Sequence, residues 1–255
     1  MVKIGLLHTT IRGDEKLLIE TARQKKCNLE IVDIRNEFFA PGKKYRWDVV
    51  IERCVSTVKG KYAIAYFESK GIPVINSLRV ASLCEDKFLT SLELAKNNVS
   101  TPEFAMAFSL EQAQNAIEHM GGFPVVVKPA LGSWGRLLAK INDNDALEAV
   151  LEHKTVLVTP PHGAFYLQKY IEKKGWDIRV FVLDGEVICA IARRSEHWIT
   201  NTARGGKAEN FKVDKKLESI CKKASDAVGG GILAIDVIQT SSGYTVNEIN
   251  HTMEF

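Results

Sequence analysis

The chain has 255 residues, is 45% hydrophobic, and carries 34 Lys+Arg against 31 Asp+Glu, a formal net charge of +3. This length can bury a large core without disulfide or metal staples, and so slight a charge gives no argument for nucleic acid. No apolar run approaches the ~18 residues of a membrane span. The N-terminus lacks the form of a signal peptide, and the five scattered cysteines, without C-x-x-C spacing, fit reduced thiols in a cytoplasmic protein.

The first third alternates strand and helix patterns. Strands are predicted at 3–8, 29–34, 48–52 and 73–76, with helices at 14–25 and 60–70. Such alternation means βαβ units and a parallel sheet, so this part is read as a small Rossmann-like domain. One connecting helix is predicted over 83–97. Ser109 and Gln112 spell a capping box that opens a helix ending at Gly121-Gly122. Residues 123–129 form a buried strand punctuated by Pro124 and Pro129, followed by a glycine loop, a strand at 137–141, a helix at 145–153 and a strand at 165–171. The last third holds two hairpins. Strands at 177–183 and 186–193 flank Asp184-Gly185, the signature of a type I′ turn. After a helix at 215–228, strands at 232–240 and 244–250 flank Ser241-Ser242-Gly243.

A three-residue loop centred on Ser242 places Asp236 opposite Glu248. Like charges directly opposite each other are destabilising and require compensation. Asn250, two residues beyond Glu248, shares its face. Two carboxylates and an amide oxygen on one patch make a hard-oxygen site suited to Mg²⁺, against the plainer reading of a solvated polar face. Phosphate-binding features support the metal. The Gly132-Ser133-Trp134-Gly135-Arg136 loop between two strands can fold its amides over a phosphate, although it is no Walker A loop. Lys128 ends the strand before it, and Lys87 opens a helical stretch. Taken singly, each lysine reads as a surface charge and the loop as an ordinary turn.

Other motifs carry no chemistry. Gly229-Gly230-Gly231-Ile232-Leu233-Ala234 matches G-x-G-x-x-A, but it follows a helix and opens a strand, the reverse of the dinucleotide arrangement. The six histidines lack zinc spacing, and no G-x-S-x-G elbow is present.

Taken together, Asp86-Lys87, Val127-Lys128-Pro129, Gly132 to Leu138, Gln168-Lys169-Tyr170-Ile171, Asp177-Ile178-Arg179, and Asp236 with Glu248-Ile249-Asn250 resemble an ATP-grasp ligase across nearly the whole chain. The runs 197–206 and 250–255 are similar to the lysine-biosynthesis subgroup, LysX type, which joins α-aminoadipate to a small acidic amino-group carrier protein. The glutamate-specific ArgX type is the alternative, as is an enzyme serving both. The resemblance implies an α/β ATP-grasp fold with an N-terminal Rossmann-like (pre-ATP-grasp) domain at 1–84, a central lid domain at 85–167 and a C-terminal domain at 168–255.

It implies that Lys87 and Lys128 hold ATP phosphates under a lid of Gly132, Ser133, Trp134, Gly135, Arg136, Leu137 and Leu138. Gln168, Lys169, Tyr170 and Ile171 serve as the adenine hinge, with Asp177, Arg179 and Asn201 also at the nucleotide. Asp236, Glu248 and Asn250 would hold Mg²⁺. Arg193, Thr202, Ala203, Asn250, His251 and Thr252 would meet substrate, with Arg179 and Arg193 catalytic. The implied reaction is phosphoryl transfer to the carrier's C-terminal Glu side chain, then attack by the aminoadipate amine. Relatives continue beyond the position of Phe255, so the resemblance implies a further C-terminal stretch. A homo-oligomer is compatible with this reading; a membrane is not part of it.

Counting from Asp184-Gly185 puts Arg179 opposite Ala190, so Arg179 and Arg194 share a face and Arg193 takes the other; a bulge would reconcile this with the implied Arg179–Arg193 pair, but the sequence shows none. Arg194 is read as a surface charge. Lys207, Lys212, Lys215, Lys216, Lys222 and Lys223 form a basic segment read as flanking the site, either steering an acidic carrier or merely solvated. A nucleotide-binding module without turnover remains the alternative to an enzyme.

Overall fold

Three sheets, each with its own apolar core, organise the chain; the computed structural model describes residues 1–132, 136–156, 163–200 and 205–254. The first is parallel, with β1 (Lys3–His8), β2 (Asn28–Asp33), β3 (Val49–Arg53) and β4 (Val74–Ile75) in the order β2-β1-β3-β4. Its helices are α1 (Gly13–Gln24) and α2 (Thr57–Ser69), and Ser56 caps α2 by accepting from Lys59 N. Leu7, Val50, Trp47 and Phe67 are buried between them.

The predicted single helix at 83–97 is two, α3 (Leu78–Glu85) and α4 (Lys87–Lys96). Asp86 breaks it. Its backbone is extended, its carboxylate accepts from Phe88 N at 2.9 Å and Leu89 N at 3.1 Å, and Lys87 N reaches Ala130 O at 2.9 Å. A capping aspartate competes well with helix continuation, and here it opens α4 beside the glycine loop.

The second sheet is antiparallel, in the order β5-β8-β6-β7: β5 (Phe104–Ala107), β6 (Val125–Lys128), β7 (Ala139–Ile141) and β8 (Phe165–Lys169). α5 (Leu110–His119) and α6 (Asn144–Val156) cover it. Ser109 caps α5 as expected, but the Gln112 side chain accepts from Phe108 N rather than from Ser109 N, so the reciprocal half of the box is displaced by one residue. β5 has no counterpart in the sequence reading.

The third sheet, antiparallel in the order β11-β10-β9-β12-β13, comprises β9 (Trp176–Leu183), β10 (Glu186–Arg194), β11 (Lys207–Asn210), β12 (Ile232–Thr240) and β13 (Gly243–Asn250). Ile178, Val180, Val182, Ile235 and Val237 point to one face, where α7 (Lys215–Val228) packs with Leu217, Cys221 and Ala224. Leu94 of α4 and Val80 of α3 join the same core. β11 is exposed at every position and holds no large apolar residue, which left no alternation to read. Among the described residues no helix is long and apolar enough to cross a membrane, and no cysteine is paired.

Candidate active site

The opposite face of the third sheet carries charge, and two β-bulges put it there. In β12–β13 the loop is Ser241-Ser242, with Thr240 paired to Gly243. That shorter loop alone would set Asp236 against Asn247 and turn Glu248 towards the apolar face. A bulge at Asn247 adds one residue, restores the predicted Asp236–Glu248 pair, and leaves Asn247 and Glu248 both at the cavity. The sequence reading thus reached the right pair through a wrong loop length. In β9–β10 the predicted turn holds, but a bulge between Val187 and Cys189 shifts the register, so Arg179 pairs with Ile191 and Arg193 with Asp177. Arg179 and Arg193 therefore share a face. Arg194 points away, half-exposed, pairing with Glu209.

The like charges are compensated. Asp236, 4% exposed, accepts from Arg179 Nε at 2.8 Å, Arg179 Nη2 at 3.0 Å and Arg193 Nη2 at 3.1 Å. Glu248 Oε1 lies 3.5 Å from Lys87 Nζ, which also donates to Gly132 O. Burial would raise the Asp236 pKa, but the two guanidinium charges and their hydrogen bonds overcome it and hold the carboxyl well below its usual range. Arg193 Nε donates to Asp177 Oδ1 at 2.7 Å, and Asp177 also receives Lys173 and Thr200. Arg193 lines the cavity, and its Nη1 group is buried without a hydrogen-bond partner among the described residues. Such an orphan donor costs free energy until a ligand satisfies it.

Lys128 is held from two sides. Its ammonium donates to Gln168 Oε1 and to Asn247 Oδ1 at 3.2 Å; Gln168 Nε2 donates to Tyr166 Oη at 3.2 Å, which contacts Ser91 Oγ at 2.8 Å. Burial above all, with Lys87 and Lys173, depresses the Lys128 pKa to about 8 against the opposing pull of Glu248 and Asp236. The Gln168 side chain thus orients a lysine.

A cavity of about 460 Å³ joins these groups. Gly132, Arg136, Leu138 and the stretch from Gln168 through Lys169 and Tyr170 to Ile171 line it, as do Asn250, His251 and Thr252. Burial lowers the His251 pKa to about 4, leaving it neutral at neutral pH. Leu137 is 70% exposed and does not line the cavity, contrary to expectation. Its backbone is left-handed, with φ +57°. Ser133, Trp134, Gly135, Asn201, Thr202 and Ala203 lie outside the described residues. Among those described, eight Lys or Arg line the cavity against five Asp or Glu, an excess suited to a polyanion.

Sequence reasoning missed Lys173, Asn247, Tyr166 and Ser91, which lie outside recognisable spacing. It also misplaced the lysine segment. α7 covers the apolar face, on the far side of the sheet from Asp236, and none of Lys207, Lys212, Lys215, Lys216, Lys222 and Lys223 lines the cavity.

Comparison with known proteins fits this geometry. A family model described as a RimK-like ATP-grasp domain matches residues 84–255, and a LysX preATP-grasp domain model matches 4–83. The chain is 34% identical over 258 residues to the glutamate–LysW ligase ArgX of Sulfurisphaera tokodaii, covering 100% of this chain and 91% of that protein. It is 35% identical over 253 residues to the α-aminoadipate–LysW ligase LysX of Saccharolobus solfataricus, covering 96% and 90%. The crystal structure of a RimK domain ATP-grasp protein from Sphaerobacter thermophilus shares the fold, with a TM-score of 0.80 at 23% identity over 100% of this chain and 92% of that one. The chain belongs to the RimK-like ATP-grasp ligases, with a LysX-type preATP-grasp unit at its N-terminus.

Proposed function

We propose that this ligase uses ATP to join the amino group of α-aminoadipate to the C-terminal Glu side-chain carboxylate of an acidic, LysW-like carrier protein in the cytoplasm. The observation that carries the reading is a single cavity holding Lys87, Lys128, Arg179 and Arg193 around the Asp236–Glu248 pair. Relatives named for glutamate and for α-aminoadipate match about equally well, so glutamate is the alternative amino acid.

Lys87, Lys128 and Arg136 would bind the ATP phosphates, with adenine at Gln168 to Ile171. Asp236, Glu248, Asn247 and Asn250 present only oxygen donors to a cation. Among the described residues no cluster of three or more His, Cys, Asp or Glu is placed to hold a metal. That set fits Mg²⁺, which binds through one or two carboxylates plus substrate phosphates rather than a full protein cage. When bound, Mg²⁺ would neutralise phosphate charge. The carrier carboxylate attacks the γ-phosphorus and ADP leaves; the amine then attacks the acyl carbon, losing a proton as phosphate departs. Arg193, which lines the cavity and has an N–H without a partner among the described residues, would stabilise the oxyanion of that second step. Such catalysis rests on positioning and charge stabilisation. Carrier-dependent ADP release, compared between α-aminoadipate and glutamate, tests the reading. Release with α-aminoadipate supports it, and release without carrier or amino acid contradicts it.

A further inference from the structure

Asn76, just after β4, is 6% exposed and reaches across to the third sheet. Its Nδ2 donates to Ile232 O at 2.8 Å and His251 O at 2.6 Å, while its Oδ1 accepts from Ile232 N at 2.7 Å. Ile232 opens β12 and His251 follows β13, so one amide clamps both open ends of the hairpin that carries Asp236, Glu248 and Asn250. Two carbonyls and one N–H also fix which way the amide faces. Aspartate, nearly the same shape, would set an oxygen against both carbonyls.

Gly231 makes room for the clamp. At φ +99°, a Cβ there would lie 2.1 Å from Asn76 Oδ1. The glycine run that mimics a dinucleotide motif therefore has two structural duties, since Gly229 is the left-handed cap of α7 and Gly231 admits Asn76.

The grip continues along 251–254. Thr252 Oγ1 lies 3.5 Å from Glu52 Oε2, Met253 O accepts from Arg53 Nη1 at 2.8 Å, and Glu254 Oε1 accepts from Arg12 Nη1 at 3.0 Å. Arg53 and Arg12 are themselves anchored on the fully buried Glu15. All four residues of this strap line the cavity.

We propose that the N-terminal unit sets the substrate-side wall of the cavity by clamping this strap, with Asn76 as the positioning residue. This rests on the ligase reading for the identity of the substrate, but the clamp itself does not. A misplacement of ~1 Å at a reacting site can cost ~10²-fold in rate, so the clamp matters for amino-acid capture. Among the described residues Lys87, Lys128 and Gln168 make no bond to Asn76, and the two lysines meet the hairpin at Glu248 and Asn247, short of its clamped end at His251.

The test compares wild type with Asn76→Asp, Gly231→Ala and Arg53→Lys. It measures amide exchange at 250–254, calorimetric affinity for a non-hydrolysable ATP analogue with Mg²⁺, and KM for amino acid and ATP in carrier-dependent ADP release. Asn76→Asp is expected to speed exchange in the strap at least tenfold and to raise the amino-acid KM at least tenfold, with nucleotide affinity within twofold. Gly231→Ala should reproduce this, and Arg53→Lys should do so more weakly. If Asn76→Asp does not fold, Arg53→Lys decides. Unchanged strap exchange, faster exchange with an unchanged amino-acid KM, or parallel loss of nucleotide affinity would each overturn the proposal. If wild type releases no ADP with any acceptor, the ligase reading fails, while exchange and nucleotide affinity still decide the clamp.

Discussion

The two faces of the third sheet are made from the same strands but specified differently. The face under α7 follows simple alternation, with Ile178, Val180, Val182, Ile235 and Val237 at every second position. The face towards the cavity departs from alternation twice, at the bulges beside Ile188 and at Asn247, and each departure turns a charged residue, Arg193 or Glu248, away from the apolar core. An inserted residue thus does what a substitution cannot, changing the face of everything that follows it.

The largest expected effect comes from removing such an insertion. Deleting Ile188 should return Arg193 to the apolar face and abolish folding, since an unpaired buried charge costs several kcal/mol. Ile188→Ala should change stability by only ~0.5 kcal/mol, because that side chain is 60% exposed. Urea unfolding distinguishes them, and equal losses would contradict the role of the bulge.

Next are the paired carboxylates. Asp236→Ala should abolish turnover and cost about 3–5 kcal/mol, because it strands Arg179 and Arg193 in a buried site. Glu248→Ala should abolish turnover while costing about 1 kcal/mol or less, its Lys87 contact being longer and more exposed. ADP release together with denaturant titration checks both.

A smaller effect follows from Lys128. Its ammonium is the phosphate-binding form, so ATP affinity should be full below about pH 8 and fall as pH rises through it, by up to ~tenfold per pH unit. Stability moves the other way. Between about 8 and the ordinary lysine value the unfolded chain holds more protons, so the cost of burying the charge is relieved as pH rises. Calorimetric titration across that range should show the decline in wild type and a flat profile in Lys128→Arg.

The smallest effect is expected on the far face. Charge reversal at Lys215 and Lys216 should leave carrier-dependent ADP release unchanged across a salt series, because α7 is separated from the cavity by the sheet. A defect confined to low salt would place carrier docking on α7 after all.

Much of the fold was legible because periodicity reports burial: the limits of β1 and α7 match the pattern residue for residue. What escaped was specified by tertiary contact. Asp86 splits a helix because Ala130 competes for Lys87 N, and exposed β11 has no alternation to display. The bulges leave no local signature. Their sequence trace is a conflict, since a two-residue loop would have driven Glu248 into the core, and Arg193 stood on the wrong face by turn counting. Where polar residues fall on an apolar face, a bulge is the economical inference. Asn76 carries no pattern at all, because its partners lie 156 and 175 residues away.

Intact mass of a LysW-like carrier, after incubation with the protein, ATP, Mg²⁺ and either α-aminoadipate or glutamate, tests whether the charged face of the third sheet performs carboxylate–amine ligation. The expected result is a carrier heavier by one amino-acid residue, with α-aminoadipate preferred and one ADP formed per product, and no gain with Arg193→Met. No gain with either amino acid, or an undiminished gain in Arg193→Met, would contradict it.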